Sequence, residues 1–201
     1  SGRVRLSVTP GQPSEFDLCL RIPGWARGRP VPSDLYRFAE ADVPPAVLVK
    51  PADGDCNLAC QYCFYRDKPK LWPDSRRRMT IQVAEEMIRQ HLRQPWQQVS
   101  FCWQGGEPTL MGLDFYKRVL ELQEKYRQPG QTVANSLQTN GILIDENWAR
   151  FLAEAGFLVG LSVDLPREAH DFYRRDHAGR PSFERVVRAA EVLGEHGAQF
   201  N

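Results

Sequence analysis

Three cysteines lie within eight residues of this chain, in the stretch CNLACQYC, at Cys56, Cys60 and Cys63. A structural zinc site needs four ligands in a closed tetrahedron, but no fourth cysteine follows at a similar spacing and the four histidines are distant in sequence. An iron–sulfur cluster normally takes four cysteines, so three would leave one iron of a [4Fe–4S] cluster open to a substrate or cofactor. On spacing alone, a zinc site completed from elsewhere and a chance grouping stay open as alternatives.

Apolar runs and helical patterns alternate around these cysteines. The run PAVLVK precedes them, and VSFCW, TVANSLQ and FLVGLSV follow; such continuous runs are typical of strands in a parallel sheet. Four segments have apolar residues at helical spacing: residues 80–93, 113–127, 146–155 and 182–195. Ser182 is the predicted N-cap of the last of them. The sequence therefore predicts an α/β fold of strand–helix units, with the cysteines at the carboxyl edge of the sheet, where such folds carry their chemistry.

The number of units indicates how much of a barrel to expect. A complete eight-stranded barrel takes about 250 residues, whereas residues 43–201 contain four strand patterns and AQFN, which looks like the opening of a fifth. We therefore expect a truncated, partial (β/α) barrel with parallel strands.

The first 42 residues have a different pattern. RVRLSV and EFDLCLRI alternate apolar and polar residues, which is typical of half-buried strands, and a stretch rich in Pro and Gly follows them. We predict a short β-strand-rich segment with a linker over residues 1–42, and the strand–helix domain over residues 43–201.

Composition excludes some classes of function. The 201 residues carry 26 Lys and Arg against 25 Asp and Glu, and no apolar run has the length of a membrane span, so we expect neither nucleic acid nor a membrane as partner. No signal peptide is recognisable, which predicts a cytoplasmic protein. Five cysteines, an odd number, suit a metal or redox site in a reducing compartment. Cys19 and Cys102 lie within apolar strand patterns, so we predict that they are buried and inert.

Four motifs occur in one order: KPADGDCNLACQYCFY, WQGGEPTLMGLDFY, NSLQTNGILIDENWARFLAEAGFLVGLSVD and HDFYRRDHAGRPSFERV. Together they resemble the anaerobic sulfatase-maturating enzymes of the radical S-adenosylmethionine (SAM) superfamily over residues 43–201. The resemblance implies an oxidoreductase in which Cys56, Cys60 and Cys63 hold a [4Fe–4S] cluster and SAM chelates its fourth iron. The implied reaction is reductive cleavage of SAM to a 5′-deoxyadenosyl radical, followed by oxidation of a sulfatase Cys or Ser to Cα-formylglycine.

The resemblance also assigns residues to the SAM pocket: Tyr62, Gly106, Ser162 and Arg174. Arg174 is expected to pair with the SAM carboxylate through a bidentate fork. In QGGEP, the two glycines allow close approach of the backbone to a ligand, and Glu107 is expected to orient its own loop. Gln104 and Asn140 follow the second and third strands and are expected to face the same cavity.

The implied partners are a peptide substrate, in a sulfatase or another protein, and a reductant such as flavodoxin or ferredoxin. The family's general base and two auxiliary clusters would fall after Asn201, so no catalytic base is assigned and the chain as given is expected to be inactive as a maturase. Another peptide-modifying radical SAM enzyme of the thioether-forming type, and a non-catalytic fragment that binds zinc or nothing, are the alternatives.

Two stretches depart from this family. Leu165 stands in VDLP where the family usually has glycine, so a positive φ at this position would strain the loop and weaken SAM binding. Residues 16–38, FDLCLRIPGWARGRPVPSDLYRF, instead resemble a piece of the C-terminal β-sandwich region of bacterial β-L-arabinofuranosidases. No carboxylate pair typical of a glycosidase accompanies this short stretch.

Overall fold

The computed structural model describes residues 46–71 and 78–201. The predicted strands and linker of residues 1–42, Cys19 and the arabinofuranosidase-like stretch lie outside the described residues. The division into two domains therefore stays a prediction.

Five parallel strands form one sheet in sequence order: β1 Ala46–Val49, β2 Gln98–Trp103, β3 Thr132–Thr139, β4 Leu158–Leu161 and β5 Gln199–Phe200. The register aligns Val49 with Trp103, and Trp103 with Leu137. Because all strands point the same way, the loops after β1, β2, β3 and β4 meet at one edge of the sheet. All four predicted strands, and the fifth at AQFN, are confirmed.

The described part of the chain contains five α-helices, which connect or follow the strands: α1 Ile81–Leu92, α2 Leu113–Tyr126, α3 Glu146–Glu154, α4 Arg167–Tyr173 and α5 Phe183–Glu195. The four predicted helices are confirmed to within two residues at each end. Short 3-10 helices cover Lys68–Leu71 and Pro108–Met111. Within the described ranges, no helix has the length and apolar character needed to cross a membrane.

Helix α4 was not predicted, because its seven residues make only about two turns, too few for a helical repeat of apolar residues to be recognised. The N-terminus of α5 also differs from the prediction. Ser182 occupies the N-cap position, but its side chain makes no cap hydrogen bond. Asp171 provides the cap instead, since its Oδ1 accepts the N–H groups of Ser182 and Phe183 at 3.0 and 2.9 Å.

The two faces of the sheet differ in polarity. On one face, Val99, Phe101 and Trp103 of β2 are buried in a core shared with the helices, where Trp103 meets Tyr116 with ring centroids 5.6 Å apart. The alternate residues of β2 and β3 lie on the other face and are only partly buried or exposed. Cys102 belongs to this second face: it is half-buried, and its Sγ accepts the Ser136 hydroxyl at 3.1 Å. The prediction of a buried Cys102 was wrong, because these strands bury one face more deeply than the other.

Candidate functional site

The cysteine-containing loop begins directly after β1. Asp55 anchors its start, since the guanidinium of Arg78 donates to the Asp55 carboxylate at 2.6 and 2.9 Å and to the Leu110 carbonyl at 2.9 Å. Asp53 turns the chain with a φ of 53°, the one positive φ among described non-glycine residues. The loop therefore leaves β1 in a fixed direction before it reaches Cys56.

The next part of the loop pairs with a segment that is distant in sequence. Ala59 N–H donates to the Arg175 carbonyl at 2.7 Å, Gln61 N–H donates to the Tyr173 carbonyl at 2.9 Å, and Leu58 forms an antiparallel bridge with Asp176. This pairing holds the cysteine loop against the chain that follows α4. A hydrogen bond of 2.9 Å between His177 Nε2 and the Cys56 carbonyl extends the contact.

The three cysteines differ in exposure: Cys60 is buried, whereas Cys56 and Cys63 are half-buried. Burial raises the pKa of the Cys56 thiol to about 12, an effect that the Leu58 N–H partly offsets. Burial also raises the pKa of Cys60, and the nearby Arg174 guanidinium opposes that shift. In the described parts of the chain, no three His, Cys, Asp or Glu side chains converge on a point where one metal ion would bind.

Gly106 lies where the loop after β2 touches the cysteine loop. Its φ is +54°, and a Cβ built on it would lie 2.2 Å from the Asp55 carbonyl oxygen. The adjacent Glu107 N–H donates to that same oxygen at 2.8 Å. A side chain at position 106 would therefore push the two loops apart, which gives this glycine a packing role beside its predicted contact with SAM.

Glu107 is the buried centre of a hydrogen-bond network, called here the Glu107 network, whose other members are Cys56, Asn57, Thr109, Thr139 and Asn140. The Glu107 carboxylate is 1% exposed. It accepts the Thr109 N–H and hydroxyl at 3.0 and 2.6 Å, the Thr139 hydroxyl at 2.7 Å and the Asn140 N–H at 2.8 Å. Burial raises the pKa of Glu107, and these donors oppose the shift. Glu107 thus orients its own loop, as expected, and also fixes the end of β3.

Asn140 extends the Glu107 network to the first cysteine. Its Nδ2 donates to Asn57 Oδ1 at 2.7 Å and lies 3.6 Å from Cys56 Sγ. Its Oδ1 accepts the Ile142 N–H at 3.0 Å, which fixes which way the amide points. Gln104, the other residue expected in the cavity, is half-buried just after β2, and its N–H donates to the Val49 carbonyl at 2.9 Å.

A second network, called here the Arg174 network, comprises Tyr62, Asp164, His170, Arg174 and Ser182. The guanidinium of Arg174 donates to both Asp164 oxygens, at 2.8 and 3.1 Å, and lies 5.4 Å from the centre of the Tyr62 ring. The Tyr62 hydroxyl donates to Asp164 at 2.9 Å. Hydrogen bonds from Arg174 lower the pKa of Asp164. The fork that was expected to bind the SAM carboxylate is directed at Asp164 in this structure.

Asp164, His170 and Ser182 belong to this site but were not predicted. His170 is fully buried and makes hydrogen bonds with the Asp164 N–H and the Ser182 hydroxyl. Spacing gave no signal for these residues, because their contacts depend on how the chain after β4 folds back on itself.

Ser162 follows β4 and contacts the end of β3. Its Oγ accepts Gln138 Nε2 at 3.0 Å and its N–H donates to the Thr139 carbonyl at 2.9 Å. Leu165 lies farther along the same loop, with its side chain 77% exposed. Its φ is not positive, so the backbone conformation at this position does not strain a leucine. The prediction that Leu165 strains the loop was wrong.

A family model of the radical SAM superfamily matches residues 54–199, which include the three cysteines, both networks and strands β2 to β4. The chain belongs to the radical SAM superfamily. The resemblance found in the sequence is thereby confirmed at the level of the superfamily.

Relatives within the superfamily support a closer likeness. The chain is 45% identical over 159 residues to a cysteine-type anaerobic sulfatase-maturating enzyme of Clostridium perfringens, covering 79% of this chain and 43% of the relative. It is 41% identical over 166 residues to the serine-type enzyme of Bacteroides thetaiotaomicron, covering 82% of this chain and 40% of the relative. This chain therefore spans less than half the length of these relatives.

Solved structures agree with the predicted fold. Native anSMEcpe with bound AdoMet and Cp18Cys peptide matches with a TM-score of 0.72 at 45% identity, over 79% of this chain and 42% of that one. A maturase of the [FeFe]-hydrogenase matches with a TM-score of 0.55 at 11% identity, over 77% of this chain and 34% of that one, and shows likeness of fold alone. The predicted α/β fold with parallel strands is confirmed.

The residues at the carboxyl edge of the sheet fit an iron–sulfur cluster. Three thiols on one loop are the donors that such clusters use, and each would bind a different iron, so they need not converge on one point. Next to Cys56, the Asn57 Nδ2 is buried and has no hydrogen-bond partner among the described residues. An unpaired buried N–H suits a bound group that accepts hydrogen bonds, since leaving it unpaired costs about 1–3 kcal/mol.

Proposed function

We propose that Cys56, Cys60 and Cys63 hold a [4Fe–4S] cluster and that this chain binds SAM beside it. One observation supports the proposal most directly: residues 173–176 pair with the cysteine loop and so bring Arg174 to the three thiols and to Tyr62, which lies between two of them. Cationic, aromatic and thiol groups then lie at one edge of the sheet. When bound, the cluster would supply the electron that cleaves SAM into methionine and a 5′-deoxyadenosyl radical.

The residues of the chain would divide the work of binding. The cysteines would ligate iron as thiolates, with Asn140 placing an N–H near Cys56 Sγ. Arg174 would present a charge to the carboxylate of SAM, held in place by Asp164. Ser162 and Gly106 lie in the loops after β4 and β2, so both face the same edge of the sheet.

We further propose that the substrate is a Cys or Ser residue in a sulfatase-type peptide, oxidised to Cα-formylglycine. The identity to cysteine-type and serine-type sulfatase-maturating enzymes supports this choice, as does the similar solved structure that contains a peptide with AdoMet. A low-potential electron carrier such as flavodoxin or ferredoxin would supply the electron.

Product analysis after anaerobic reconstitution tests the proposal. The full chain is incubated with dithionite, SAM and a sulfatase-derived peptide that contains Cys or Ser, and 5′-deoxyadenosine and the peptide mass are measured. We expect 5′-deoxyadenosine from the unchanged chain and from Cys102→Ala, a variant of the half-buried cysteine outside the loop, but not from Cys56→Ala. Equal amounts from the unchanged chain and Cys56→Ala would overturn the proposal. Any change in the peptide mass would identify the class of reaction: formylglycine would indicate the sulfatase type, and a thioether would indicate the other peptide-modifying class.

A further inference from the structure

Within the Arg174 network, His170 links the backbone of Asp164 to the backbone of Arg174 through the Ser182 hydroxyl. The side chain is fully buried. The Asp164 N–H donates to its Nδ1 at 3.2 Å, and its Nε2 lies 3.0 Å from the Ser182 hydroxyl. That hydroxyl donates to the Arg174 carbonyl at 2.6 Å. Because Nδ1 accepts a hydrogen bond, the proton of the neutral ring is on Nε2 and is donated to Ser182.

This chain of hydrogen bonds therefore fixes both partners of one ion pair. Asp164 is held through its backbone N–H, and Arg174 is held through its backbone carbonyl, while their side chains meet at 2.8 and 3.1 Å. Burial and the nearby Arg174 charge lower the pKa of His170, so the ring stays neutral at pH 7 and keeps this pattern of donor and acceptor.

The same segment supports the cysteine loop. The carbonyls of Tyr173 and Arg175, the two residues that flank Arg174, accept N–H groups from that loop. A shift of the Arg174 backbone would therefore move the guanidinium and disturb the loop pairing together.

We propose that His170 is a positioning residue for SAM binding, which acts by fixing the backbone of Asp164 and Arg174 so that the guanidinium is held beside Tyr62. The inference rests on the proposed function, since it assumes that Arg174 faces SAM. His170 itself would touch neither SAM nor the cluster.

Titration calorimetry of SAM binding to the anaerobically reconstituted full chain tests this role. His170→Phe keeps an aromatic ring and removes both hydrogen bonds, and it should raise the Kd for SAM by about tenfold, which corresponds to about 1.4 kcal/mol. Ser182→Ala removes the hydroxyl that joins His170 to the Arg174 carbonyl but leaves the Asp164 N–H bonded to His170, and it should raise the Kd by about threefold. Asn135→Ala is the matched control, because Asn135 is a buried, hydrogen-bonded side chain of the core; it should leave the Kd unchanged.

A double-mutant cycle separates positioning from a general loss of stability. In an Arg174→Ala background, His170→Phe should raise the Kd no further, because the group that it positions is already gone. An additive effect in that background, or an unchanged Kd in both single variants, would overturn the inference. If His170→Phe does not fold, Ser182→Ala combined with Arg174→Ala gives the same cycle.

Hydrogen exchange in the iron-free protein provides a readout that needs neither cluster nor SAM. In His170→Phe and Ser182→Ala, we expect faster exchange of the Ala59 and Gln61 amides, which donate to the segment around Arg174, and unchanged exchange in β2. Uniform acceleration throughout the chain would overturn the inference.

The failure of this inference can be distinguished from the failure of the proposed function. If the unchanged chain takes up iron but binds no SAM, the proposed function fails and this inference fails with it. If the unchanged chain binds SAM and His170→Phe has no effect on the Kd, only this inference is overturned.

Discussion

The two networks that flank the cysteine loop are built from different interactions. The Glu107 network centres on one buried carboxylate and consists of hydrogen bonds to that carboxylate and between amides. The Arg174 network depends on an ion pair whose side chains remain 16% and 32% exposed. The first holds the loop at Cys56, and the second holds the side that faces Tyr62. The site therefore combines a largely buried support beside the proposed metal ligands with a charged, partly exposed support beside the proposed SAM position.

The difference has consequences for stability. Removing a partner from a buried network leaves polar groups unpaired and costs more than removing a partly exposed ion pair, which salt screens. Substitutions in the Glu107 network should therefore have the larger effects on folding. Those in the Arg174 network should respond more to pH and salt.

The largest effect is expected for Glu107→Gln. In the glutamine, an NH₂ group replaces one of the two carboxylate oxygens and therefore faces another hydrogen-bond donor, either the N–H of Asn140 or the hydroxyl of Thr139. The free energy of unfolding should fall by about 3 kcal/mol. Urea denaturation of the iron-free chain measures this change, with exposed Glu86→Gln as the control. A decrease in the free energy of unfolding of less than about 1 kcal/mol would contradict the claim that the Glu107 network contributes more to stability than the Arg174 network.

A smaller effect is expected for Asn140→Ala, which removes the amide that contacts Asn57 and Cys56. The Asn57 Oδ1 loses its amide donor and the Ile142 N–H loses its acceptor, so the free energy of unfolding should fall by about 1.5 kcal/mol. Loss of an N–H near Cys56 Sγ should also make the reduction potential of the reconstituted cluster more negative. A redox titration followed by electron paramagnetic resonance measures the potential, with exposed Asn147→Ala as the control. An unchanged potential would show that Asn140 does not act on the cluster.

Asp164→Asn should have a still smaller effect, and one that depends on pH. Because Arg174 lowers the pKa of Asp164, the stabilisation from this carboxylate is present above the ordinary pKa of an aspartate and is lost as the pH falls through the lowered value. The variant should be less stable by about 1 kcal/mol at pH 7, and the difference should shrink below about pH 4. Denaturation at both pH values tests this sign, and a difference that grows in acid would contradict it.

The smallest effect is expected for Leu165→Gly. The leucine is exposed and its φ is not positive, so no strain is relieved by glycine. The SAM affinity of the reconstituted chain should stay within about twofold of the unchanged value. Tighter binding by about fivefold or more would restore the strain hypothesis that the structure contradicts.

The strands and four helices were predictable because burial on one side of an element gives a repeating apolar pattern. The spacing of Ala84, Ile88 and Leu92, all fully buried in α1, is such a pattern. Helix α4 escaped prediction because only His170 within it is buried. Cys102 was misjudged because the sequence does not show which face of a strand the helices cover.

The candidate site was predictable only in part. The spacing of the three cysteines identified the loop, because all three proposed ligands come from one short stretch of the sequence. The two networks were not predictable from spacing, since Tyr62 contacts Asp164 across 102 positions of the chain and Asn140 contacts Cys56 across 84. Such contacts arise only when the strands bring their loops to one edge.

Iron and sulfide analysis of the anaerobically reconstituted chain, with its visible spectrum, tests the central claim most directly. We predict about four irons per chain, as one [4Fe–4S] cluster requires, a brown chromophore, and loss of both on replacing Cys56, Cys60 or Cys63 with Ala, while Cys102→Ala retains them. A colourless protein that carries one zinc, or iron binding that survives replacement of all three cysteines, would contradict the account.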